Sequence, residues 1–267
     1  MACARGEAID SKPRIKIPVL TYHSIDDRAV DDSASVVSTS LEIFRQHIAF
    51  LGRSGYHGIR LSELTSLLAE GKPLPERAVV ITFDDGYHNF YSHAWPILRE
   101  SGFAATVFLV TGYCGKDNGW PGHEPVNGRQ PLMGWPEIRE LHSQGVEFGS
   151  HTVTHPDLRR LPKGRVESEL SDSKARIEDE LGARVSQFAY PYGYFDSDIK
   201  ATVEREFAGA CTTKLGRVAI ESDPHELPRI EMYYFSRRAT LDLIVDKRID
   251  RYLAVRQVLR DVRRAFK

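Results

Sequence analysis

Four side chains stand out by type and spacing: Asp84 and Asp85 in Thr82-Phe83-Asp84-Asp85-Gly86, and His151 and His155 in Ser150-His151-Thr152-Val153-Thr154-His155. Adjacent carboxylates before a glycine turn repel one another, which raises one pKa or calls in a cation. On its own the pair also fits an Asp-Gly turn with a solvated neighbour. Two imidazoles four residues apart can face one metal where the segment turns helically. Two His and one carboxylate leave open positions on a divalent ion, the arrangement of a catalytic site rather than a closed structural one. A third cluster, Phe188-Ala189-Tyr190-Pro191-Tyr192-Gly193, can hold backbone N–H groups toward a ligand, or can be a tight turn under aromatic packing.

Each cluster follows directly on a short apolar run. Ala78–Phe83 (AVVITF) reads as a strand buried on both faces. Ile17–Tyr22, Ala104–Val110, Val146–Gly149, Val185–Tyr190, Ala208–Thr213 and Leu227–Met232 complete about seven strands. Helical patterns alternate with them: Leu41–Gly55, Ser62–Glu70, Tyr91–Ser101 with Pro96 in its first turn or at a kink, Trp135–Gln144, Lys163–Leu181, Ser197–Phe207, and a terminal helix from Thr240 to Lys267. Residues 112–134, with six Gly and three Pro, predict a surface excursion beside the barrel or sheet edge. Strand–helix alternation means parallel strands with crossover helices, where chemistry gathers at the strands' C-terminal ends. With no internal linker, one domain is expected over 17–267 after an N-terminal tail over 1–16.

Composition narrows the function. The 267 residues carry 36 basic and 37 acidic side chains, a net charge of −1, which gives no support for nucleic-acid binding. Cys3, Cys114 and Cys211 form neither a disulfide framework nor a thiolate zinc site. No signal peptide or membrane span is legible, so a cytoplasmic location is the expectation; a removed export signal leaves the same sequence.

Thr82–Gly86, His151–His155 and Tyr190–Gly193, in this order and spacing, resemble the motifs of the polysaccharide deacetylases of carbohydrate esterase family 4: Thr-Phe-Asp-Asp-Gly, His-Ser/Thr-x-x-His and Arg-x-Pro-Tyr-Gly. The motifs span roughly 78–232; the first two match together and the third in part. The resemblance implies a distorted (β/α)7 barrel and metal-dependent removal of N- or O-acetyl groups from sugars. It implies Asp84 as general base, Asp85, His151 and His155 as metal ligands, and the backbone N–H of Tyr192 at the oxyanion, with Tyr190 and Pro191 as further oxyanion- or substrate-binding residues of that turn. Zinc suits two His and a carboxylate; cobalt, nickel and iron fit as well.

Two departures matter. The third-motif Arg is absent, and Arg229, in Leu227-Pro228-Arg229-Ile230, is the candidate replacement; a surface ion pair is the alternative. The C-terminal Leu-x-Ile/Leu-His is missing too, since no His follows His225. Val19-Leu20-Thr21-Tyr22-His23 resembles the circularly permuted branch, in which that strand comes first, and makes His23 the candidate general acid. Trp135 is a candidate sugar-ring wall or a helix-start core residue, and His88 is a candidate cleft residue.

Residues 246–267 carry eight basic against three acidic side chains. Such a helix can dock peripherally on anionic lipid, or pack on its own domain with a solvated outer face. The leading reading is a metal-dependent N-deacetylase of an N-acetylated sugar or glycan. The same catalyst on a non-sugar amide, and a carbohydrate-binding homologue without catalysis, are the alternatives.

Overall fold

The computed structural model describes residues 15–26, 38–122, 128–235, 241–246 and 248–265. Most of the expected tail, Cys3, Lys247 and Lys267 lie outside the described residues, as do the side chains of Arg263 and Arg264.

Ten strands follow in order: β1 (Val19–Tyr22), β2 (Ser24–Asp26), β3 (Ser38–Ser40), β4 (His57–Ile59), β5 (Ala78–Phe83), β6 (Thr106–Leu109), β7 (Glu147–Ser150), β8 (Gln187–Ala189), β9 (Gly209–Leu215) and β10 (Leu227–Glu231). Between them run α1 (Leu41–Arg53), α2 (Leu61–Ala69), α3 (Trp95–Glu100), α4 (Trp135–Ser143), α5 (Lys163–Leu181) and α6 (Ser197–Glu206), with α7 (Ile249–Ala265) last. All pairings between these strands are parallel, in the order β1-β10-β9-β8-β7-β6-β5, and β5 pairs back to β1. Seven strands thus close a barrel. β4 pairs with the lower half of β5, up to Val80, on the edge that β6 takes over from Thr82, while β1 pairs along the opposite edge, so the closure is uneven: a distorted (β/α)7 barrel.

Strand alternation sorts the interior into layers. Val19, Val80, Phe108, Ala189, Cys211 and Leu227 form the apolar plug of the lumen. Two residues further along their strands, Thr21 and Thr82 meet at 3.4 Å, and Arg229 donates to Thr82 Oγ1 at 3.2 Å. His23 and Asp84 follow at the mouth. The opposite strand faces carry Leu20, Tyr22, Ile81, Phe83 and Ile230 into the main core with α1 and α5. This period of two explains why an apolar run ends in chemistry.

β5 and α5 have the bounds expected from sequence, and the other anticipated elements differ at their ends. The short pair β2–β3 and strand β4 carry too few apolar residues to announce themselves. Pro96 stands in the first turn of α3, preceded by a π-helical turn at Phe90–Ala94. The excursion at 112–134 corrects the expectation of a mere surface loop. Its Trp120 and Leu132 pack with Tyr87 and Val110 into a small separate core beside the mouth. The described part of the terminal helix begins at Ile249, with a separate 3₁₀ turn at Asp242–Val245. Among the described residues no helix is long and apolar enough to cross a membrane.

Candidate active site

Asp84 leaves the end of β5 still pointing inward, and Asp85 follows in the left-handed region at φ 71°. That turn requires Gly86: φ is 75°, and a Cβ there would stand 2.8 Å from Leu109 Cδ2. Asp84 is 3% and Asp85 7% exposed, so both charges need partners.

Asp84 finds one in Arg229. The guanidinium grips the carboxylate with two 2.7 Å hydrogen bonds, Nη1 to Oδ1 and Nη2 to Oδ2, while its Nε donates to the carbonyl of Thr212. Burial opposes ionisation of Asp84, but Arg229, by charge and hydrogen bonding, holds the carboxyl well below its usual range. His23 Nε2 lies 3.8 Å from the same carboxylate. Burial drives His23 down to about 4; Asp84 opposes that and Arg229 adds to it.

Asp85 turns the other way, toward His151 and His155. Its Oδ1 is buried without a hydrogen bond and stands 3.6 Å from Nε2 of each imidazole. The two Nε2 atoms are 3.2 Å apart. Donors on a tetrahedral zinc with bonds of ~2.0–2.1 Å sit roughly 3.4 Å from one another, so the spacing fits an ion at the centre. Tautomer agrees: His151 Nδ1 donates to the carbonyl of Ala189 at 2.7 Å, leaving the Nε2 lone pair for a metal. Burial and the neighbouring Asp84 push the Asp85 carboxyl well above its ordinary range.

The His151–His155 segment is not the helical turn that the spacing suggested. It is an irregular loop with Thr152 and His155 at φ 71° and 55°. Glu169 of α5 pins it, accepting from the backbone N–H of Val153 and of Thr154 at 2.8 Å each, and from the Thr154 hydroxyl at 2.7 Å. Satisfying those N–H groups is what allows the strained loop to be buried.

After β8 the chain turns through Pro191 to Tyr192, whose φ of 58° is again left-handed. Gly193 is required next: φ is 70°, and a Cβ would come within 2.7 Å of Thr213 N. The Tyr192 N–H has no acceptor among the described residues, and its ring lies 4.6 Å from that of His155.

The structure therefore brings together Asp84, Asp85, His151, His155, His23, Arg229 and Tyr192. It does not bring Tyr190 or Trp135 to them. Tyr190 is 1% exposed, stacks on Phe195 at 4.5 Å and donates its hydroxyl to the carbonyl of His225, because β8 alternation turns it into the outer core. Trp135 lies under the Arg176 guanidinium, against the α5 side. Pro191 is buried and sets the turn. His88 pairs with Glu137 at 3.0 Å.

Sequence reasoning missed four residues. Trp120 stands in the aromatic role expected of Trp135, its ring 4.7 Å from His155. Tyr87 hydrogen-bonds Asp85 and is itself held by Asn118 at 3.1 Å. Glu169 is the loop pin, and Glu231, one side-chain period beyond Arg229, is a carboxyl that burial pushes up to about 8 against the pull of Arg229. Only Tyr87 carried a signal, its place next to Gly86 at a strand end.

A closed parallel barrel whose mouth joins an arginine-held carboxylate to an Asp-His-His cluster is a hydrolytic site of the carbohydrate esterase kind. The profile of the polysaccharide deacetylase family matches residues 71–207, and the chain belongs to that family. The YxkH protein of Bacillus subtilis (strain 168), whose name places it among polysaccharide deacetylases, is 28% identical over 225 residues, covering 84% of this chain and 74% of its own. A poly-beta-1,6-N-acetyl-D-glucosamine N-deacetylase of Staphylococcus epidermidis is 28% identical over 234 residues, 79% of this chain and 77% of its own. Among solved structures, the Streptococcus pyogenes deacetylase PplD, in complex with acetate, superposes with a TM-score of 0.70 at 25% identity, covering 82% of this chain and 92% of its own.

Proposed function

We propose that this protein is a metal-dependent N-deacetylase that hydrolyses the acetamide of an N-acetylated sugar or glycan, releasing acetate and the free amine. One observation carries the reading: a carboxylate held ionised by Arg229 lies beside three metal-type donors and within 3.8 Å of an imidazole. Relatives named for poly-N-acetylglucosamine deacetylation support the amide and sugar class.

Asp85, His151 and His155 would hold one divalent ion, zinc first by donor chemistry. When bound, it supplies Lewis-acid polarisation of the acetyl carbonyl and lowers the pKa of a coordinated water. Asp84 takes the proton from the attacking water, with Arg229 fixing the carboxylate's orientation. The Tyr192 N–H donates to the oxygen on which negative charge develops. His23, neutral at rest, takes up the proton that Asp84 has removed from the water and passes it to the amine nitrogen as the C–N bond breaks. Negative charge building at the carbonyl oxygen raises its proton affinity from the low value that burial sets.

The test is acetate release from N-acetylglucosamine oligomers and from small non-sugar acetamides, with chelated protein and after adding back zinc or cobalt. Metal-restored release from the glycan is expected, with Asp84→Asn lowering turnover by about 10²–10⁴-fold while the metal stays bound. Release from the small acetamides alone would move the substrate class. Full activity in Asp84→Asn would refute the base assignment.

A further inference from the structure

Seven large hydrophobic side chains are exposed among the described residues, and four of them lie on α7: Val255 (55%), Val258 (61%), Leu259 (57%) and Val262 (49%). Two more stand at its N-terminal end. Val245 is in the turn leading to it, and Ile15 neighbours Lys16, whose ammonium pairs with Asp250 at 2.9 Å.

The spacing i, i+3, i+4, i+7 puts the four on one stripe of the helix. That stripe faces away from the barrel. The inward side holds Ile249 and Leu253, together with the polar groups expected outside: Arg256 over the Tyr234 ring at 4.3 Å, Gln257 accepting from Leu215 N at 2.8 Å, and Arg260 donating to the carbonyl of Thr213. The helix is amphipathic in the reverse sense, with cations inward and valines outward.

Among the described side chains, charge on the outer side is balanced rather than basic. Arg251 lies within the apolar arc, and Asp261 on its flank, ten residues or about 15 Å along the axis. Both are exposed, and neither forms an ion pair among the described residues. Arg248 is neutralised by Asp246, and Asp250 by Arg217 and Lys16. A face of this kind lacks the cationic excess that an anionic lipid surface selects. It is self-complementary instead. Turned about a two-fold axis beside Val255 and Val258, a second copy sets Val255 against Val258 and Arg251 next to Asp261 at both ends.

We infer that the outer face of α7 is the contact of a two-fold, antiparallel dimer of this chain. A four-residue stripe is narrower than the roughly 800 Å² per partner of a standard interface, so the association is weak and concentration-dependent.

Sedimentation equilibrium of the full chain over a concentration series tests this. A reversible monomer–dimer equilibrium is expected. Val258→Asp, on a side chain that touches no part of the site, should abolish it with the circular dichroism spectrum and acetate release of the monomer unchanged. Arg251→Glu should weaken it by about tenfold, and adding Asp261→Arg should restore it. A monomer throughout the series overturns the inference. So does a dimer indifferent to Val258→Asp, or a monomeric protein that floats with phosphatidylcholine–phosphatidylglycerol vesicles through this face.

Discussion

Arg229 and Asp84 meet across 145 residues of sequence in a two-pronged pair, both bonds 2.7 Å, in a site where neither side chain exceeds 5% exposure. A buried pair of this kind adds little stability over apolar packing, yet breaking it is costly because the surviving charge stays desolvated. Its retention therefore points to the carboxylate's work. Arg229→Ala is expected to lose about 3–5 kcal/mol in urea denaturation and to lose acetate release as well. Arg229→Lys keeps the charge but loses the fork, and should recover stability in part and activity much less.

The converging donors predict metal-linked stability. Zinc at about 100 times its dissociation constant should stabilise the fold by roughly 2.7 kcal/mol, read as a rise in Tm, and a chelator should reverse it. Asp85→Ala and His151→Ala should each erase the zinc-dependent rise. A rise of the same size in either variant would place the ion elsewhere.

Glu169 touches none of the proposed ligand atoms but accepts from Val153 and Thr154 in the loop between the two histidines. Glu169→Ala should weaken zinc affinity by about 10–100-fold in isothermal titration, since outer partners orient ligands. Asp84–Arg229 chemistry is untouched, so saturating zinc should bring back much of the turnover.

His47 gives a pH dependence independent of the site. Its ring is 1% exposed, with Nδ1 3.0 Å from the Tyr22 hydroxyl and Nε2 3.1 Å from the Phe235 carbonyl. Burial lowers its pKa to about 4, against ~6.5 unfolded. Between those values the unfolded chain binds more protons, so stability rises with pH across the window. It is complete above about 6.5 and falls by about 3 kcal/mol as the pH drops to 4. His47→Gln should flatten the denaturation-versus-pH curve there by about one proton. Asp84, with its depressed pKa, adds a loss in the same direction below about 4.

Local features were legible without coordinates. AVVITF read as a buried strand, Lys163–Leu181 as a helix, and the Asp pair and the H-x3-H segment each fell at the end of a strand, where parallel α/β folds gather their chemistry; the barrel itself was what the family resemblance implied. These follow from periodicities of two and 3.6 and from where inward-pointing side chains emerge. Short polar strands such as His57–Ile59 escaped because their pairing partner, not their composition, makes them strands.

The sequence by itself determined the alternation of parallel strands and helices and the clusters Asp84-Asp85 and His151–His155 at strand ends, because each is written in contiguous residues with a fixed side-chain period. Only the tertiary structure decided that Arg229 serves Asp84, that Trp120 rather than Trp135 flanks His155, that Glu169 braces the histidine loop, and that the arginines of the last helix turn inward. Each of these joins groups from 15 to 145 residues apart. Closing the chain into a barrel brings them together, and burial then selects which polar partners must pair.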